Sequence, residues 1–169
     1  MIKIHQANMS DAESLSDFIK KLDTESCYLL YDSGERKNDV NTIKSYLSRI
    51  DQDGKSIVFI AENEHKEIIG FICGEVPHLK RLAHLMKCNI GILKKYHGAG
   101  IGSGLLEKLI TYAKETNIIR LEATVIKQNT QSVSLCERFG FNIEGIKIHS
   151  IKINDELHDE YLLAKLITL

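Results

Sequence analysis

The chain has 169 residues, is 43% apolar and carries a formal net charge of −1, which suits one globular core and offers neither a basic face for nucleic acid nor an acidic tail for a basic partner. The opening Met1-Ile2-Lys3-Ile4-His5 lacks the apolar core of a signal peptide, and no run approaches the ~20 apolar residues of a membrane span, so a soluble, cytoplasmic protein is expected. Cys27, Cys73, Cys88 and Cys136 stand apart, without CxxC spacing or histidines in metal-ligand register, and read as reduced thiols with no disulfide framework and no bound metal.

Met1 to Gln6 alternates apolar and polar residues, the pattern of a first strand. Ser10-x-x-Glu13 is a capping box, and Leu15, Phe18, Ile19 and Leu22 then repeat at helical spacing. An irregular polar stretch, Tyr28 to Asp39, leads to Thr42, a cap for a second helix carrying Ile43, Tyr46, Leu47 and Ile50. Ser56 to Glu62 and Glu67 to Glu75 are rich in β-branched residues and separated by Asn63-Glu64-His65-Lys66, the signature of a hairpin. His84 to Leu93 reads as a further strand.

After the glycine-rich segment Tyr96 to Leu106, a helix is expected from Gly104 onward, with Leu105, Leu106, Leu109, Ile110 and Ala113 on its apolar face. Ile118 to Lys127 is extended, and Ser132 to Phe139 is a short helix closed by Gly140. Ile146 to Ile153 and the run through Tyr161 to Leu166 flank Asn154-Asp155, which tolerates positive φ and predicts a terminal hairpin. No repeat, low-complexity segment or linker divides the chain, so a single domain over 1–169 is expected. The order predicts an α/β fold of the α+β type, with a mixed, mostly antiparallel sheet flanked by helices.

The four glycines from Gly98 to Gly104 stand where a helix begins. One explanation is tight packing against the preceding strand; the other is a phosphate, because a helix N-terminus exposes unpaired N–H groups and missing Cβ atoms let an anion sit on them. The P-loop pattern G-x-x-x-x-G-K-S/T fails, since Arg49 stands where the first glycine before Gly54-Lys55-Ser56 belongs. The dinucleotide pattern G-x-G-x-x-G fails too, since its last glycine would fall on Ser103 or Leu105.

In these residues the chain resembles the GNAT superfamily of N-acetyltransferases. Their acetyl-CoA signature, Q/R-x-x-G-x-G/A, matches His97-Gly98-Ala99-Gly100-Ile101-Gly102 at both glycines, with His97 in place of Gln or Arg. Ile90-Gly91-Ile92 is similar to the family strand before that loop, and Asn129 through Phe141 is similar to the family's Asn-to-Gly-Phe segment. The resemblance implies that the diphosphate of acetyl-CoA rests on the amides from Gly98 through Ser103, with Lys94, Lys95 and His97 able to add charge. It also implies that the pantetheine arm runs beside Ile90, Gly91 and Ile92 like an added strand, that the next strand splays away to leave a wedge for the thioester, and that Asn129 binds the cofactor arm.

The expected reaction is acetyl transfer from acetyl-CoA to a primary amine by direct attack in a ternary complex. A protonated amine needs a base, and the leaving thiolate an acid. Many relatives use a tyrosine seven residues after the Asn as the acid; here Cys136 occupies that position, and either donates a proton or simply packs as the inner face of a short helix. Attack by Cys136 itself would be a ping-pong alternative. Some relatives carry a base glutamate where this chain has Thr124. Glu122 shares a strand face with Thr124 and either activates a water or is an ordinary strand residue; His84 is a weaker candidate base. The resemblance places the acceptor between the helix-loop-helix of Tyr28 to Glu35 and the last hairpin, with Tyr31 and Tyr161 either lining it or belonging to the core. An unpaired C-terminal edge strand leaves a homodimer open. Two rivals stand beside this reading: a catalytically silent acyl-CoA-binding or regulatory module, and a fold that holds another nucleotide.

Overall fold

The computed structural model describes residues 1–167. Its elements are β1 (Lys3–Gln6), α1 (Ala12–Glu25), α2 (Val40–Asp53), β2 (Ile57–Glu62), β3 (Ile68–Glu75), β4 (Leu85–Ile92), α3 (Ile101–Glu115), β5 (Arg120–Ile126), α4 (Thr130–Arg138), β6 (Asn142–Ile153) and β7 (Glu156–Leu166). This is the element order that the hydrophobic periodicities predict. The strands form a mixed, mostly antiparallel seven-stranded sheet in the order β1-β2-β3-β4-β5-β7-β6. The parallel ladder between β4 and β5 joins only Leu85–Lys87 to Arg120–Glu122, in strands of eight and seven residues.

The chain divides into two compact units, residues 1–75 with 89–109, and residues 76–88 with the chain from Ile110 onward. In the first unit, Leu15, Phe18, Ile19 and Leu22 of α1 and Ile43, Leu47 and Ile50 of α2 cluster with Val58 and Ile60 of β2, Ile68 of β3, and Leu93. Phe18 meets Phe71 edge to face with ring centroids 5.8 Å apart. The helix starts differ from the expected ones. Asn8, not Ser10, opens a capping box: its side chain accepts the Ser10 amide at 2.9 Å and its own amide donates to Asp11 at 2.8 Å, before a short 3-10 turn that runs into α1. Asp39 rather than Thr42 caps α2 by accepting the Thr42 amide at 3.1 Å, which makes Thr42 the donor of the cap.

In the second unit, β5 pairs with β7 over its whole length, Arg120 opposite Leu166 through Ile126 opposite Glu160. β6 and β7 meet at Asn154 and Asp155, with φ of 49° and 64°, the hairpin turn the sequence predicts. α4 begins two residues before the expected Ser132, because Asn129 caps it by accepting the Ser132 amide at 3.3 Å. It ends in a Schellman motif: the Gly140 amide donates to Glu137 and the Phe141 amide to Cys136.

Candidate active site

The glycine loop begins from a tethered turn. The Leu93 amide donates to the Ile69 carbonyl, the Lys94 amide to Glu25 Oε2 at 3.0 Å, and Asn63 Nδ2 to the Tyr96 hydroxyl at 3.2 Å. His97 Nε2 then donates to the Ile92 carbonyl at 2.9 Å, which draws the signature's first residue against the end of β4. Lys94, Lys95 and His97 are all exposed.

Beyond this anchor the glycines divide by cause. Gly98 and Gly100 hold φ of 77° and 78°, a region that L side chains rarely adopt, and a Cβ built on either meets nothing within 4 Å. Their missing side chains leave an open surface rather than fit against a neighbour. Gly104 is small for another reason, since its Cβ would lie 2.8 Å from Ile4 Cδ1. Gly91 in β4 resembles Gly104 in this: its Cβ would lie 2.5 Å from Leu22 and 2.8 Å from Phe71, so close packing requires it.

The third helix starts at Ile101, three residues before the expected Gly104. Ile101 is only 3% exposed and packs beside Gly70, locking the first turn to the core. The Gly104 amide donates to the Gly100 carbonyl at 3.1 Å, so the amides of Ile101, Gly102 and Ser103 precede the first bond of the helix and have no backbone acceptor among the described residues. A left-handed glycine turn, three free amides and a positive helix end fit a diphosphate.

The second unit carries the other candidate residues. Glu122 Oε1 accepts from Arg120 Nε at 2.7 Å, while Arg120 Nη1 donates to Glu144 Oε1 at 3.0 Å and Nη2 to Glu144 Oε2. Arg120 holds the Glu144 carboxyl below the usual glutamate range, chiefly by these hydrogen bonds. Thr124, where some relatives carry the base, is exposed. Asn129 spends its oxygen on the cap of α4, which leaves its Nδ2 group to donate. Cys136 is buried, and burial pushes its thiol up to about 11. It is therefore a protonated thiol at neutral pH. His84 precedes β4 in an exposed turn, where its carbonyl accepts the amides of Ile119 and Arg120.

Tyr31 and Tyr161 belong to separate clusters, and neither is a core residue. The Arg36 guanidinium lies 4.6 Å from the centroid of the exposed Tyr31 ring, and its Nη2 lies 3.1 Å from Oδ1 of the buried Asp23. Burial outweighs this arginine and raises the Asp23 pKa. Lys127 Nζ stands 5.6 Å from the Tyr161 centroid and 3.5 Å from Asp159 Oδ2. No motif or spacing in the sequence marks Arg36, Asp23, Arg120 or Glu144 as site residues. Alternation along β5 puts Arg120 on the face of Glu122, but the partnership with Glu144 depends on a register that sequence does not reveal.

The mixed seven-stranded sheet flanked by helices is a fold shared with acetyltransferases solved with acetyl-CoA. The profile of the acetyltransferase (GNAT) domain matches residues 4–162, and the chain belongs to the GNAT acetyltransferase family. An acetyltransferase of the GNAT family from Streptococcus pneumoniae is 28% identical, with a TM-score of 0.94 over 99% of this chain and 100% of that one. A phosphinothricin acetyltransferase from Sinorhizobium meliloti, solved with acetyl-CoA, shares the fold at a TM-score of 0.87 and 16% identity, over 98% of this chain and 88% of that one. The L-amino acid N-acetyltransferase AaaT of Escherichia coli is 24% identical over 100 residues, 59% of this chain and 62% of AaaT. The chain thus spans less than two thirds of the length of the named relatives it matches. Among the described residues, no helix is long and apolar enough to cross a membrane.

Proposed function

We propose that the protein transfers the acetyl group of acetyl-CoA to a primary amine by direct attack, with both substrates bound together. The observation that carries this reading is the pair Gly98 and Gly100, left-handed, unobstructed and followed by the free amides of Ile101, Gly102 and Ser103. The diphosphate rests there, with Ala99 in the turn and His97, Lys94 and Lys95 beside it. The pantetheine arm lies along Ile90, Gly91 and Ile92, and Asn129 Nδ2 donates to it. Acetyl-CoA supplies an activated acetyl thioester; the chain's residues bind it and manage the protons.

Glu122 is the base. Its Oε1 is tied to Arg120, while Oε2 has no protein partner among the described residues and takes the proton of the acceptor ammonium through a water. The N–H bond breaks, an O–H bond forms on Oε2, and the nitrogen keeps the electron pair with which it attacks. Cys136 does not supply the proton that CoA needs on leaving. Transfer from a thiol at about 11 to a thiolate of ordinary pKa about 8.5 runs uphill by about 3 kcal/mol. CoA leaves as the thiolate and takes its proton from buffered solvent after release, and the same high pKa argues against Cys136 as the nucleophile of a ping-pong route. Tyr31 and Tyr161 line the acceptor site.

The test is release of free CoA from acetyl-CoA with a panel of amines: L-amino acids, a lysine peptide, spermidine and an aminoglycoside. L-amino acids come first because AaaT is named for them. Amine-dependent CoA release supports the reading. CoA binding without turnover on any amine would favour a silent binding module, and competition by ATP or NAD but not by CoA would favour a fold that holds another nucleotide at the glycine turn.

A further inference from the structure

Three groups on the second unit form one hydrogen-bonded chain, and only one of them has a part in the reaction just described. Arg120 and Glu122 lie two residues apart on one face of β5. On the neighbouring strand Ala164 stands opposite Glu122, and beyond it Asn142 of β6 stands opposite Ala164. Ala164, between them on β7, is 4% exposed and carries only a methyl side chain. Glu144 reaches Arg120 because the β6 ladder is interrupted there: Ile143 pairs with Leu163 and Gly145 with Leu162, so Glu144 is the extra residue of a bulge. Bulges turn a side chain away from the regular alternation of a strand.

The three groups divide their bonding unequally. Glu144 spends both oxygens on Arg120, in the planar two-point grip that fixes a guanidinium in orientation as well as position. Arg120 gives its remaining donor edge, Nε, to Glu122 Oε1. Glu122 alone keeps an oxygen without a protein partner among the described residues. The arrangement runs from an anchor, through a rigid connector, to a carboxylate with one end fixed.

We infer that Glu144 is a positioning residue for the reaction: gripping Arg120 from the β6 bulge, it holds Glu122 so that Oε2 is presented to the acceptor's proton. The inference rests on the reading of Glu122 as the base. Glu144 touches neither substrate and exchanges no proton. Its side chain is 48% exposed, and an ion pair so open to solvent adds little to stability. Misplacing a reacting group by about 1 Å, in contrast, can cost up to about a hundredfold in rate. The two effects therefore separate: a stabilising strut would show in the melting curve, a positioning residue in kcat.

The experiment compares the parent with Glu144→Gln, Glu144→Asp, Glu122→Gln and the double variant Glu122→Gln/Glu144→Gln, using acetyl-CoA and the amine of the panel that turns over fastest. Glu144→Gln is expected to lower kcat about tenfold while KM for acetyl-CoA and for the amine changes less than about twofold. Its melting temperature stays near that of the parent, and Glu144→Asp recovers part of the rate. In the Glu122→Gln background, the Glu144→Gln change has no further effect, because the group it positions is gone. An unchanged kcat in Glu144→Gln, or an equal loss with and without Glu122, overturns the inference while leaving Glu122 as the base. Full kcat in Glu122→Gln, or no turnover by the parent on any amine, overturns the base assignment and this inference with it.

Discussion

Replacing Gly100 by alanine separates the two explanations of the glycine turn. The Gly100 φ is 78°, and a Cβ built there meets nothing within 4 Å. The methyl group thus costs the strain of a left-handed alanine, about 1–2 kcal/mol, and no protein clash. For a chain of this size that lowers Tm by roughly 2–8 °C, and the protein stays folded at 25 °C. The methyl stands on the face assigned to the diphosphate, so the dissociation constant for CoA should rise at least about tenfold, equivalent to about 1.4 kcal/mol. Gly104→Ala is the matched control. Its Cβ would press on Ile4 Cδ1 at 2.8 Å, the tip of a flexible side chain, and a helical Ala regains about 0.5–1 kcal/mol over Gly. Its affinity for CoA should stay within about twofold of the parent. Isothermal titration with CoA, alongside melting without ligand, reads both quantities. Parent-like affinity in Gly100→Ala, or an equal loss in Gly104→Ala, would refute the assignment of these amides to the diphosphate.

Cys136→Ala should leave kcat unchanged and lower stability by about 1 kcal/mol, the cost of a small vacancy around a side chain only 7% exposed; a tenfold fall in kcat would return the thiol to the reaction. Arg36→Ala strips the charge partner from the buried Asp23 and should cost about 2–3 kcal/mol in urea unfolding, with part regained when Asp23→Asn is added; a simple sum of the two single effects would show that the pair is uncoupled. Glu144 and Asp159 both titrate below their ordinary values of 4.5 and 3.8, so the native state binds fewer protons than the unfolded chain in that range. Stability should fall on acidification below about pH 5 through these depressed values, and Glu144→Gln should flatten the slope; an identical slope in the variant would deny the Arg120 bridge its electrostatic effect.

Much of this architecture is legible in the sequence because local patterns and the fold agree. The apolar stripe of α1, the Asn154-Asp155 turn and Gly140 after α4 each specify the same answer at short range and in the final structure. Helix starts were less legible, since several residues near each start can accept an amide: Asn8 and Asp39 supersede Ser10 and Thr42. The start of α3 is masked by its own glycines, although Ile101, Leu105 and Leu109 continue one stripe at spacing four and are all buried. Nor does a row of glycines disclose that Gly98 and Gly100 answer to backbone conformation while Gly104 answers to Ile4. The least legible feature is the bridge from Glu122 through Arg120 to Glu144. It joins residues two strands apart through a bulge, and a one-residue change of register would send Glu144 elsewhere.

Everything proposed for the reaction depends on the amides opening α3 holding the diphosphate of acetyl-CoA. Crystals of the protein grown with acetyl-CoA test it most directly. Diphosphate oxygens should lie within hydrogen-bonding distance of backbone nitrogens between Gly98 and Ser103. Acetyl-CoA bound elsewhere, with that turn clear of it, would show that these amides do not hold the diphosphate.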